Sequence, residues 1–274
     1  GGSLAQLGNA AIITNRISSI VYDPGRPHTF WETGTYDGNG AFVTTDDGAT
    51  FSPLGNLKHI NLVSVDFTDP TRATLVAGGH EQEQTLYRSK DGGKTWTSIG
   101  AGLPAGTFCN LPLVLDAKTY LVGCNHYLSP SGIYRTTDGG DTYSLMTPDG
   151  GSNIPLRASD GSIYWPNGGT GGFIRSDDDG LTWTDVLYPN DIINVQFIEL
   201  PDHRIAASGK EAIVVSSDHG ATWQNATTPL PFVPFTLTYS AQRQAFYIAH
   251  FDCGNPPVSV ASRPTMKEPF AVSQ

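Results

Sequence analysis

The sequence predicts an all-β chain, a single β-propeller of six blades with five matching hairpin turns on one rim. Three observations carry this. An octamer recurs five times, its central aspartates separated by 45, 47, 40 and 40 residues. Each copy sits between two short apolar or β-branched runs. Gly and Pro are abundant, at 31 and 19 of 274 residues, as many short strands and tight turns require. Self-similarity at this period marks stacked supersecondary units, none of which can bury its own apolar face alone.

The octamers read TTDDGATF (44–51), SKDGGKTW (89–96), TTDGGDTY (136–143), SDDDGLTW (176–183) and SSDHGATW (216–223). The shared pattern is hydroxyl, any residue, Asp, any, Gly, any, Thr, aromatic. An Asp carboxylate can accept nearby backbone N–H groups while the Gly supplies a positive φ, so the pattern is turn chemistry. Asp46, Asp91, Asp138, Asp178 and Asp218 are therefore read as structural rather than catalytic, and the aromatic as packing between adjacent sheets.

Taken in order, residues 1–9 read as a disordered or appended tail and 10–274 as the propeller domain. Alternation and turn signals place strands at 17–22, 29–33, 41–44 and 50–53, then at 62–67, 73–77, 85–88 and 95–99. The third unit uses 111–115, 120–123, 132–135 and 142–146; the fourth uses 155–158, 162–165, 173–175 and 182–187. The fifth uses 195–200, 204–207, 212–215 and 222–224. A sixth unit without an octamer follows at 235–239, 244–249 and 258–262, its fourth strand coming from 269–272 or from 10–14. Pairing the two chain ends would remove exposed sheet edges.

Across residues 17–230 the octamers resemble the Asp-box, or bacterial neuraminidase repeat, of sialidases, sortilin-type receptors, certain xyloglucanases and photosystem-assembly factors. The resemblance implies a box in the turn between the third and fourth strands of each blade, with ligands met at the opposite rim. It does not choose between enzyme and receptor. Sialidases need three arginines at the ligand rim; Arg88, Arg135 and Arg175 instead stand three residues before a box aspartate and look structural, so a true sialidase is not expected. The Asp37 loop, TYDGNGAF, is similar to the acidic loop before a box in xyloglucanases, which set two propellers across a cleft.

Lys and Arg total 16 against 26 Asp and Glu, a net charge of −10, which disfavours nucleic acid or an anionic membrane as partner. No run approaches the roughly 20 apolar residues of a membrane span. Cys109 and Cys124 flank a hairpin centred on Asp116-Ala117, so they face each other either as a disulfide or as two core thiols; the bond would suit a secreted protein.

The loops between second and third strands gather the site candidates. Asp37 and Glu81 are a carboxylate pair for acid/base or nucleophilic glycoside hydrolysis. His80 or His126 with a tyrosine (His80 with Tyr127, His126 with Tyr36) is the alternative, proton transfer in a polysaccharide lyase. Tyr36, Trp165, Asn167 and Arg157 are expected to contact substrate. Convergence of His80, His126 and His250 on a metal is not favoured, so no metal or cofactor is assigned. The resulting expectation is a secreted or extracytoplasmic, monomeric, carbohydrate-active propeller, with a non-catalytic glycan- or protein-binding module as the remaining alternative.

Overall fold

The computed structural model describes residues 13–124, 132–149, 151, 153–167, 172–186, 196–209, 212–232 and 236–249. These form two compact units, one of residues 13–151 with 180–182 and the other of 153–179 with 183–249. Each unit is built from antiparallel meanders of the β-propeller type.

In the first unit the first sheet runs β1 (Arg16–Tyr22), β2 (Phe30–Thr35), β3 (Ala41–Thr44) and β4 (Ser52–Pro53). The second runs β5 (Ile60–Val65), β6 (Leu75–Gly79), β7 (Leu86–Ser89) and β8 (Thr97–Ser98). The third runs β9 (Cys109–Val114), β10 (Tyr120–Cys124), β11 (Gly132–Thr136) and β12 (Ser144–Thr147). The other unit holds β13 (Leu156–Arg157), β14 (Ile163–Pro166), β15 (Phe173–Ser176) and β16 (Thr184–Val186), then β17 (Phe197–Glu199), β18 (Ile205–Ser208), β19 (Ile213–Ser216) and β20 (Gln224–Asn225). A two-stranded sheet follows, β21 (Thr236–Ser240) with β22 (Ala245–Ala249).

The expectation of six blades is thereby corrected: five sheets are complete four-stranded blades, and the chain after Asn225 contributes only a hairpin among the described residues. The strands expected at 258–262 and 269–272 lie outside the described residues, as does most of 10–14. No octamer occurs in the sequence after Trp223 to specify the third-to-fourth-strand turn of a further blade.

The core lies between neighbouring sheets, as the apolar runs require. Trp31, Ala41 and Leu54 of the first blade meet Val63, Val65 and Leu75 of the second. Tyr164 and Phe173 meet Phe197, Ile205 and Val214, and Leu200, Ala206 and Ile213 meet Leu237 and Phe246 of the terminal hairpin. Each buried Val, Leu, Ile or Phe side chain among these contributes about 1.5–3 kcal/mol by leaving water, and the alanines less. Beneath this apolar layer Arg72 donates two bonds of 2.8 Å to the buried Asp23, tying the first two blades together and holding the Asp23 carboxyl below its ordinary value.

The octamers work as turn clamps. In the second, Ser89 Oγ donates to Asp91 Oδ1 at 2.8 Å and accepts from the Gly93 N–H at 2.8 Å. Asp91 also accepts from the Thr95 N–H at 2.9 Å and hydroxyl at 2.6 Å. The same bonds recur around Asp46, Asp138 and Asp218, and Ser176 donates to Asp178. Gly48, Gly93, Gly140 and Gly220 take φ of 84–96°, which the clamp needs and an L side chain resists. The aromatic anchors the turn to the preceding blade: Trp96 Nε1 donates to the Leu54 carbonyl at 3.1 Å, and Tyr143 Oη to that of Ile99 at 3.1 Å. Arg88 reaches forward instead, donating to the Gly139 carbonyl, and Arg175 does the same to His219 at 3.2 Å.

Hydrogen bonds from the threonine hydroxyls pull Asp46, Asp91 and Asp218 down to about 2. A depressed folded-state pKa means that the stabilisation is complete above the ordinary Asp value near 4 and is lost as pH falls toward 2. Thermal melts across that range are expected to show acid destabilisation that Thr95→Val reduces; an unchanged acid limb in that variant would contradict the clamp.

Cys109 and Cys124 are disulfide-bonded, as opposed residues on β9 and β10. Among the described residues no helix is long and apolar enough to cross a membrane.

Candidate functional site

In an antiparallel meander the β2–β3 and β6–β7 turns emerge at the end opposite the octamers, together with the segment crossing from β4 to β5. Tyr36 lies in the first of these turns, His59 just before β5, and His80 and Glu81 just after β6. The three side chains Tyr36, His59 and His80 form a ring trio, with centroids 4.9, 5.4 and 4.7 Å apart and edge-on contacts throughout. Arg16 lies 5.1 Å over the Tyr36 ring, whose residue is 54 % exposed.

Hydrogen bonds fix the chemistry of the trio. His80 Nδ1 is 2.7 Å from Asn61 Oδ1, which can only accept, so Nδ1 carries the proton and Nε2 presents a lone pair. That lone pair faces the Tyr36 hydroxyl at 3.2 Å and Glu81 Oε1 at 3.4 Å. Burial pushes the His80 imidazole below its ordinary value, against the pull of Glu81 and with a smaller push from His59. The Tyr36 N–H donates to His59 Nδ1 at 2.9 Å, and the His80 N–H to the His59 carbonyl at 2.8 Å. Tyr36, His59 and Glu81 have φ of 68°, 60° and 52°. Left-handed backbone at a non-glycine residue costs roughly 1–3 kcal/mol; these are three of twelve such positions among the described residues, which also include Asp47, Asp179 and His219 in octamer turns.

Tyr36, His80 and Glu81 are thus brought together, and the exposed Asp37 follows Tyr36 in the same turn. The pairing differs from expectation: His80 meets Tyr36, whereas His126 and Tyr127 lie outside the described residues. Trp165 is corrected: it is fully buried against Trp183 and offers no face to a sugar. Asn167 is buried as well, and Arg157 is ion-paired with Asp179 at 3.1 Å; all three belong to the other unit. His59 and Asn61 escaped the sequence reading, although the crossing segments share the candidate end and could have pointed to His59.

A concavity of about 320 Å³ lies at the octamer end of the other unit, lined by Ser159, Asp160, Glu199, His203 and His219 among others. Ser159 Oγ donates to Glu199 Oε1 at 2.5 Å, and both lie 3.0 Å from His203 Nδ1. Because serine and carboxylate address the same ring nitrogen, the imidazole cannot relay a proton between them. The trio fastens two turns.

A family model for the BNR/Asp-box repeat matches residues 87–98. One repeat matches. The expectation of five Asp-box hairpins is corrected accordingly: the octamers around Asp46, Asp138 and Asp218 share the clamping hydrogen bonds and Ser176 bonds Asp178, but the family match spans the one repeat that extends from β7 into β8. A protein named probable oligoxyloglucan-reducing end-specific xyloglucanase, from Neosartorya fischeri, is 30% identical over 162 residues, covering 53% of this chain and 19% of the relative. A xyloglucanase from Paenibacillus is 27% identical over 221 residues, covering 62% and 21%. The chain therefore spans about a fifth of the length of these curated relatives. Among solved structures, one titled YCF48 bound to D1 peptide superposes with a TM-score of 0.61 at 20% identity, covering 86% of this chain and 76% of that one. These likenesses establish the propeller class and a relation to xyloglucanases; they carry no sialidase or sortilin identity.

Proposed function

We propose that this chain is a carbohydrate-active propeller of the glycoside hydrolase type, acting on a polysaccharide outside the cytoplasm, with its sugar-contacting surface at Tyr36, Asp37, His80 and Glu81. The observation that carries the reading is the joining, at one end of one unit, of an exposed tyrosine, an imidazole whose Nε2 faces its hydroxyl and two exposed carboxylates. Tyr36 supplies a stacking platform for a sugar ring, and Asp37 and Glu81 supply the acid, base or nucleophile for glycosidic cleavage. Similarity to xyloglucanases supports a neutral β-glucan as substrate class, and the disulfide supports an oxidising compartment.

A second reading rests on the 3.2 Å Tyr36–His80 contact. In a β-elimination His80 Nε2 would take the proton beside a uronic carboxylate, Tyr36 would protonate the departing oxygen, and Arg16 would neutralise the carboxylate.

Incubation with xyloglucan, other neutral glucans and uronic-acid oligosaccharides, with product masses recorded, tests both readings. The expected result is hydrolysed neutral oligosaccharide, lost by about 100-fold or more in Asp37→Asn and Glu81→Gln with the melting temperature unchanged. Unsaturated uronic products would select the lyase. Binding to a protein or glycan without turnover would leave an interaction module.

A further inference from the structure

We infer that His59, His80 and Glu81 form a binding site for a single divalent transition ion of the zinc class. Each of the three offers one ligand atom, and the three atoms lie within 4.8 Å of one another. His80 Nε2 and Glu81 Oε1 are 3.4 Å apart, which is about the span of two ligands on a tetrahedral zinc with bonds near 2.0–2.1 Å. Two imidazoles and a carboxylate suit zinc, nickel or copper and do not suit magnesium or calcium, which prefer all-oxygen shells.

The surroundings are those of a built ligand set. Asn61 Oδ1 accepts the His80 Nδ1 proton, the outer contact that ordinarily fixes a metal-binding imidazole in its ligating tautomer. His59 and His80 are also locked together through the backbone bond between them. His59 Nδ1 accepts from the exposed Tyr36 N–H at 2.9 Å, which orients this ring against His80. His59 and Glu81 come from separate segments, the crossing before β5 and the turn after β6, and both have left-handed backbone. The ion would occupy the His80 lone pair that faces Tyr36 and the Glu81 carboxylate, so it goes beyond the proposed glycan chemistry and competes with both the His80–Tyr36 proton path and the part of Glu81 in glycosidic cleavage.

Calorimetric titration of untagged protein with Zn²⁺ alone tests the assignment, with Cu²⁺ electron paramagnetic resonance to count nitrogen ligands. The expected result is one ion per chain, two coordinated nitrogens, no detectable binding in His80→Ala, and an affinity at least about tenfold weaker in Glu81→Ala and in Asn61→Ala. His203→Ala, in the other unit, should bind as the parent does. Glu81 is solvent-exposed, with 65 % of its side chain accessible, so its variant remains folded and keeps the test decisive if His80→Ala does not. Absence of stoichiometric binding, affinity unchanged in Glu81→Ala, or affinity lost in His203→Ala would overturn the site.

Discussion

Removing the Cys109–Cys124 bond is expected to lower unfolding stability by about 3 kcal/mol, the chain-entropy cost of releasing a closed loop with 15 residues of separation. The bond sits between paired positions on β9 and β10, and both cysteines are fully buried. Two consequences follow. A small thiol reductant should act on the native protein only as fast as the third blade opens. The double variant Cys109→Ala with Cys124→Ala should unfold at a lower denaturant concentration than the parent. A parent and variant with coincident denaturation curves would show that the bond adds nothing to the blade.

Glu32 is expected to produce an effect of similar size and opposite sense. It lies on β2, only 2% exposed, where Asn15 Nδ2 reaches Oε2 at a long 3.4 Å and Oε1 has no partner among the described residues. Burial pushes its carboxyl up to about 7. Because the folded pKa is above the ordinary value of 4.5, the folded state holds the proton more tightly than the unfolded one. Its contribution is therefore complete below about pH 4.5 and is lost as pH rises through about 7. Glu32→Gln, which keeps the shape without the charge, should be more stable than the parent by about 2–4 kcal/mol above about pH 8 and nearly equal to it near pH 4. Parallel stability curves for parent and variant would contradict this. With the octamer aspartates failing as pH falls below about 4 and the Glu32 contribution declining as pH rises from about 4.5 toward about 7, stability should be greatest near about pH 4–4.5.

The fold was legible wherever the octamer was present. Its Asp, Gly and Thr fix the turn between the third and fourth strands of each blade, and the flanking apolar runs then align the strands to within a few residues. The terminal hairpin has no such turn, and there the blade count went astray. Burial was harder to read. Trp165, at the end of a strand near a loop, looks accessible in sequence, yet its ring enters the layer against Trp183. The candidate site was half legible: Tyr36, Asp37, His80 and Glu81 stand in turns that strand order alone brings to one end. His59 and Asn61 were missed because they belong to a crossing segment and a strand start, and Glu32 because an acidic residue in a short strand gives no sign of how deeply it is buried.

The central claim, a glycan site at Tyr36, His80 and Glu81, is tested most directly by locating a bound oligosaccharide. Amide chemical shifts recorded during titration with a xyloglucan oligosaccharide should move at Tyr36, Asp37, His59, His80 and Glu81, and these changes should vanish in Tyr36→Ala. Shifts confined to Ser159, His203 and His219 at the octamer end of the other unit, or shifts near Tyr36 that survive its replacement, would contradict it.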